Sequence, residues 1–264
     1  MKYCLLTFDL EEFDLPLEYG KDIKSVEMFH ISYFGCRKVL EILEKNKVKG
    51  TFFVSALFAL KYPELIKEIS LHHEIGLHCF EHKDNYKKMD NDGVFEKLSK
   101  AKDSIEKITK KKILGFRAPR FQVPSYKILR DIGFGYDSSY HPTYIPKRYN
   151  NFFKTRKGFN KEGVNILPLS VSPILRLPLF WLAFRILPLS YSKVVTRICL
   201  MADGYASLIF HPWEFADIKR DDLPMIVKRN SGNDLCLKLD RYIGWNLKNK
   251  ISFITMSDYL SKNL

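Results

Sequence analysis

The 264-residue chain is 46% hydrophobic and 28% charged, with 20 Phe, 14 Tyr and 3 Trp, which excludes wholesale disorder and low-complexity scaffolding. Its 43 Lys and Arg against 30 Asp and Glu give a formal charge of +13, a surface suited to anionic company without choosing among nucleic acid, phosphorylated carriers and acidic membranes. Five scattered cysteines (Cys4, Cys36, Cys79, Cys199 and Cys236) form no CxxC pair and read as reduced thiols, not a disulfide framework.

In chain order, the apolar runs Tyr3–Phe8, Gly50–Val54, Glu74–Leu77, Ile113–Phe116, Ser207–Phe210 and Ile251–Thr255 predict short, largely buried strands. Helical patterns lie between them. Val39, Ile42 and Leu43 share a helical face, as do Leu235, Leu239, Tyr242 and Ile243. Pro63-Glu64 and Pro124-Ser125 suit first turns, and Ser257 with Leu260 suits a capped terminal helix. The Lys-rich stretch Asn91–Lys112 predicts a solvated helix and a turn. This alternation predicts an α/β fold with a mainly parallel sheet or barrel, in one domain over 1–264, with a long, mostly irregular excursion around 140–191.

Met1-Lys2 leads directly into the first apolar run without a long h-region, so no signal peptide is expected and the setting reads as cytoplasmic. Val164–Ser190 is apolar but broken by Pro168, Pro173, Arg176, Pro178, Arg185 and Pro188, too interrupted to span a bilayer. Two readings of Pro173–Ser190 stay open. It either folds over the barrel and buries its own face, or rests Trp181, Phe184, Arg176 and Arg185 on an anionic membrane at the inner face.

Functional groups of α/β folds gather at the carboxyl ends of strands. The first strand ends in Asp9-Leu10-Glu11-Glu12-Phe13-Asp14, where extended geometry puts Asp9 and Glu11 on one side and Leu10 and Glu12 on the other. The third delivers His78 and His82, four apart, which meet on one face if the turn is helical, a presentation that suits zinc. His72-His73 suits a helix C-terminus and His30 a structural place. Arg117-Ala118-Pro119-Arg120-Phe121, Tyr136-Asp137-Ser138-Ser139 and His211-Pro212-Trp213 follow later strands. Each group alone reads equally well as a turn or surface signal. Their recurrence at successive strand ends favours catalysis.

Thr7-Phe8-Asp9, His78 to His82, Arg117-Ala118-Pro119, Tyr136-Asp137-Ser138-Ser139 and Leu208-Ile209-Phe210-His211-Pro212 resemble, in the same order, the motifs of the polysaccharide deacetylase family, carbohydrate esterase family 4. The resemblance runs from Tyr3 to about Tyr259. It implies a distorted (β/α) barrel with fewer than eight regular strands, and a metal-dependent hydrolase that removes acetyl groups from sugars. Asp9 resembles the catalytic base, His211 the general acid, Arg117 the residue orienting the base and Asp137 the one tuning the acid. His78 and His82 resemble ligands of a divalent metal, zinc by preference. The family's usual third ligand follows the base directly, where this chain has Leu10; the same-face argument moves that role to Glu11. Phe121 stands where the third motif usually ends in Gly.

On that resemblance, Asp9 takes a proton from metal-activated water, a backbone N–H near Arg120 steadies the oxyanion, and His211, held protonated by Asp137, serves the leaving amine. Arg120, Phe121, Tyr140 and Trp213 are the expected substrate contacts, with Tyr144 a further stacking face; packing alone is the plainer reading for some of these aromatics. The expected partner is an N-acetylated sugar or oligosaccharide, phosphate- or lipid-linked in one version, handled during envelope polysaccharide synthesis. The alternative on the same fold is a metal-independent hydrolase of a cyclic amide such as allantoin. No helix-turn-helix, zinc-finger or RNP-type pattern supports nucleic-acid binding.

Overall fold

A computed structural model describes residues 1–146 and 148–263. In chain order the elements are β1 (Tyr3–Leu10), α1 (Leu15–Glu18), α2 (Ser25–Lys45), β2 (Thr51–Ser55), α3 (Ala56–Lys61), α4 (Pro63–His72), β3 (Glu74–Cys79) and α5 (Asn91–Thr109). There follow β4 (Gly115–Phe116), α6 (Tyr126–Ile132), β5 (Tyr136–Asp137), β6 (Tyr144–Ile145), β7 (Tyr149–Asn150), β8 (Phe159–Lys161) and β9 (Val164–Ile166). The chain finishes with α7 (Trp181–Ile186), α8 (Leu189–Ala202), β10 (Tyr205–Phe210), α9 (Met225–Lys228), α10 (Asn233–Lys248), β11 (Ser252–Phe253) and α11 (Met256–Asn263).

One curled sheet runs in the order β10-β1-β2-β3-β4-β5-β9-β8, with β11 also paired to β1. Its pairings are parallel except the β8–β9 hairpin. All eight residues of β1 are buried, as a strand covered on both faces must be. The gap between β9 and β10 is bridged by irregular chain: Ser170 donates its N–H to the Ser207 carbonyl at 3.3 Å, the Ser207 N–H reaches Ser170 Oγ at 2.8 Å, and Phe180 pairs with Ile209. The sheet therefore curls into a distorted barrel with irregular closure.

That closure lies inside 140–191, the stretch read as an irregular excursion. It holds the sheet strand β9 and the separate β6–β7 hairpin, so part of it belongs to the barrel wall. The membrane reading of Pro173–Ser190 is corrected for Phe184 and Arg185. Phe184 and Arg185 are fully buried, with the Arg185 guanidinium 5.1 Å from the Trp181 ring and 6.0 Å from that of Trp213. Of the two readings left open, burial against the barrel is the one that fits these two side chains. Ile174 and Leu175 are exposed. Among the described residues no helix is long and apolar enough to cross a membrane.

Strand register places the site. Phe8 pairs with Phe210, so the next residues, Asp9 and His211, emerge side by side. Leu77 pairs with Phe116 and brings His78 level with Arg117. Helix α2 fixes the turn after β10 by close approach: a Cβ at Gly35 would lie 1.9 Å from the Pro212 carbonyl oxygen, so the helix backbone needs glycine there.

Candidate active site

Asp9, Glu11, His78, His82, Arg120, Phe121, His211 and Trp213 line one cavity of about 260 Å³ at the carboxyl ends of the strands. Past the end of β1 the consecutive acidic residues diverge. Glu11 turns into the cavity. Glu12 turns away, accepting the Ser55 hydroxyl at 2.5 Å, and burial raises its pKa above the ordinary carboxylate value.

Nε2 of His78 and Nε2 of His82 converge on the same oxygen, Oε2 of Glu11, at 2.9 and 3.3 Å. The convergence does not come from a helical turn. His78 ends β3, whereas His82 sits in the turn that follows, where Asp84 accepts the backbone N–H groups of Phe80 and Glu81 at 3.1 Å. Burial opposes ionisation of Glu11, but the imidazoles of His82, His78 and His211 outweigh it and bring its pKa down to about 2. Burial likewise opposes a charged His82, yet Glu11 and Asp14 raise it to about 9.

Two imidazole nitrogens and one carboxylate oxygen, all within 4.8 Å of one another, form a donor set that fits a divalent ion with room for a further ligand. A second feature fits as well. Asp14 Oδ1 lies 2.6 Å from His82 Nδ1, which fixes the ring with Nε2 facing Glu11, as outer carboxylates do for metal-binding histidines. The alternation that picks out Asp9 and Glu11 in the sequence does not reach Asp14.

On one flank of this cluster, Arg117 Nη1 meets Asp9 Oδ1 at 2.8 Å. The fully buried guanidinium also donates to Thr7 Oγ1, Ser138 O and Ser138 Oγ at 2.8–2.9 Å, so its position is over-determined. On the other flank stands His211, whose Nε2 is 4.0 Å from Glu11 Oε1. Burial disfavours its charged form, but Glu214, Glu11 and Asp9 together raise its pKa above the ordinary value.

The expected pairing of His211 with Asp137 gives way to a different partner. Glu214 Oε1 lies 3.2 Å from His211 Nδ1 and accepts the His211 backbone N–H at 2.8 Å. Asp137 instead accepts the N–H and hydroxyl of Ser139, with Tyr126 Oη 3.4 Å away, and burial lifts its pKa to about 6. The turn Pro212–Phe215 folds Glu214 back on the residue three before it. The His-x-x-Glu spacing after a strand, led by proline, is a capping-box pattern and was the signal available in the sequence.

Of the expected substrate contacts, Tyr140 does not line the cavity. Its ring packs edge-on against Phe159 with centroids 5.5 Å apart, because its backbone carbonyl is tied to Leu169 as the chain closes the barrel. Trp181 takes that place, edge-on to His211 at 5.3 Å and to Trp213 at 5.9 Å. Arg120 and Phe121 both adopt left-handed backbone conformation, with φ of 53° and 57°, and this bend turns them into the cavity mouth.

Residues 28–136 match the family model of polysaccharide deacetylase. A peptidoglycan-N-acetylmuramic acid deacetylase of Bacillus subtilis is 37% identical over 103 residues, which cover 38% of this chain and 39% of that protein. The chain thus matches about two fifths of the length of that relative. A crystal structure of a candidate polysaccharide deacetylase from Mycobacterium smegmatis has a TM-score of 0.68 at 19% identity, over 99% of this chain and 90% of the other. An allantoinase structure has a TM-score of 0.65 at 16% identity, over 97% and 88%. At such identities the two structures speak for the fold alone. Over residues 28–136 the chain is thus similar to polysaccharide deacetylases, and its distorted barrel is the fold of the two structures.

Proposed function

We propose that the chain is a metal-dependent deacetylase that releases acetate from an N-acetylated sugar. The observation carrying this reading is the Glu11–His78–His82 cluster set between an Arg-held carboxylate, Asp9, and a Glu-held imidazole, His211. The Bacillus subtilis relative, a peptidoglycan-N-acetylmuramic acid deacetylase, supports an N-acetylated sugar of the envelope as the substrate class.

Glu11, His78 and His82 would hold the ion, and zinc suits two imidazoles with a carboxylate. When bound, such an ion polarises a carbonyl and lowers the pKa of water toward about 7. With Asp9 Oδ1 engaged by Arg117, Oδ2 is the oxygen left to accept a proton. His211, whose raised pKa keeps a proton available, donates to the leaving nitrogen. Trp181, half-buried in the cavity lining, offers a face for the sugar ring, while the buried Trp213 stacks on His211 and braces it.

Acetate release from a panel of N-acetylated sugars, by protein reconstituted with zinc and by Asp9→Asn, tests the reading. Release by the wild type that falls about 10²–10⁴-fold in the variant is expected. Equal release after complete removal of metal overturns it.

A further inference from the structure

The cavity is charged unevenly. At its inner end the carboxylates Asp9, Glu11 and Asp14 gather around the metal-type cluster, while two guanidinium groups, Arg120 and Arg148, stand among its lining residues with Glu18. Glu18 is shared: Oε1 lies 3.3 Å from Arg120 Nε and Oε2 lies 3.7 Å from Arg148 Nη2. Two cations therefore face one carboxylate and leave an excess positive charge at the mouth. Arg120 is held in place by a further bond, Nη1 to the His82 carbonyl at 3.0 Å, which ties it to the turn bearing a candidate metal ligand.

Arg148 is presented on a braced support. It lies on the β6–β7 hairpin, whose Tyr149 donates or accepts at the buried His141 Nδ1 at 2.8 Å, and Asn151 N–H reaches the Thr143 carbonyl at 2.9 Å. Its side chain is 62% exposed and, among the described residues, makes the 3.7 Å ion pair to Glu18 and no side-chain hydrogen bond. A forked donor held at the mouth of a cavity and left short of acceptors is suited to a planar or tetrahedral oxyanion. The cavity volume of about 260 Å³ lies just below the ~300–1,000 Å³ usual for small-molecule sites and suits one sugar ring at the inner end.

We infer that Arg148 and Arg120 form an anion-binding rim, so that the sugar accepted by this site carries a carboxylate or phosphate group beside its acetamido group. The inference rests on the deacetylase reading and adds the substrate's charge. The anion displaces Glu18 from the two guanidiniums and closes the charge imbalance. The surplus of 43 basic over 30 acidic residues draws anionic sugars toward the mouth.

The test compares three sugars, neutral N-acetylglucosamine, its 1-phosphate, and N-acetylmuramic acid as the carboxylate, on the zinc-loaded protein. Both kcat/KM for acetate release and Kd by calorimetry are measured, the latter on the Asp9→Asn protein. One of the anionic sugars is expected to be preferred over the neutral one by about tenfold or more, the scale of one charge-assisted hydrogen bond. That ratio should collapse toward one in Arg148→Gln, and rise in Glu18→Gln, which frees both guanidiniums. Which anionic sugar is preferred separates carboxylate from phosphate. Equal binding of all three sugars, or a preference untouched by Arg148→Gln and Arg120→Gln, overturns the inference. Acetate release from none of them, with the binding preference intact, refutes the deacetylase reading and leaves the rim standing.

Discussion

One carboxylate oxygen of Glu214, Oε1, serves both the backbone N–H and the Nδ1 of His211, while Oε2 stands 3.4 Å from Nη1 of Arg185. Glu214 and Arg185 are both fully buried, and the indole rings of Trp181 and Trp213 lie close to the guanidinium. The pair sets the orientation of His211 from behind, on the side away from the metal-type cluster. Glu214→Gln retains an oxygen for the His211 N–H but loses the charge, and should cut amide turnover more than ester turnover. The loss should be smaller than the ~10²–10⁴-fold expected of His211→Ala. Glu214→Ala leaves Arg185 buried without a counter-charge and should destabilise the fold by about 3–5 kcal/mol. Urea denaturation and a paired amide/ester assay check both; equal losses on the two substrates would deny the acid role.

Metal affinity should depend on Asp14 as well as on Glu11, His78 and His82. Asp14→Ala removes the partner that fixes the His82 ring, and losses of outer carboxylates cost about 10–100-fold in metal affinity. Each single Ala substitution among Glu11, His78 and His82 should abolish stoichiometric zinc after dialysis. Asp14→Ala should retain zinc at high concentration and lose it earlier against a graded chelator. A chelator profile for Asp14→Ala that overlies the wild type would show that Asp14 only packs.

The difference between what was legible in the sequence and what was not follows interaction range. The parallel strands announced themselves because strands buried on both faces read as unbroken apolar runs, as in Cys4-Leu5-Leu6 and Phe52-Phe53-Val54. That Asp9, His78, Arg117 and His211 come together at one end of the sheet was legible because each directly ends or follows such a run. Glu214 and Asp14 were not, because their roles depend on a reversal of the chain that periodicity does not register. Strand β9 was hidden for a different reason. It is three residues long, and the closure beyond it is made through backbone and serine hydroxyls, which carry no pattern of hydrophobicity.

Asp9 and Arg117 should separate chemistry from architecture. Asp9→Asn keeps an oxygen toward Arg117 and should leave zinc content intact while activity falls by about 10²–10⁴-fold. Arg117→Ala removes four hydrogen bonds from the barrel interior and leaves the buried Asp9 without its partner. That variant should lose about 3–5 kcal/mol of stability along with activity. Zinc analysis and denaturation of the two variants side by side distinguish the roles. Near-normal turnover of Asp9→Asn would remove Asp9 from the chemistry.

Asp137 should reveal itself in stability rather than in the protonation of His211. Its folded pKa, lifted to about 6 by burial against the stabilising bonds from Ser139, exceeds the ordinary value of 3.8. Between those pH values the folded chain keeps a proton that the unfolded chain has released. The contribution of this group to stability therefore falls as pH rises from about 4 to about 6 and levels off above, by up to about 3 kcal/mol. Asp137→Asn removes the titration, and its side-chain oxygen still accepts the Ser139 N–H and hydroxyl. The variant should thus match the wild type near pH 4 and exceed it in stability at pH 7 to 8. Urea denaturation of both proteins across that range measures the difference. A gap between the two that is constant with pH would mean that Asp137 is already charged in the fold and is paid for by Arg117 and the hydroxyls around it.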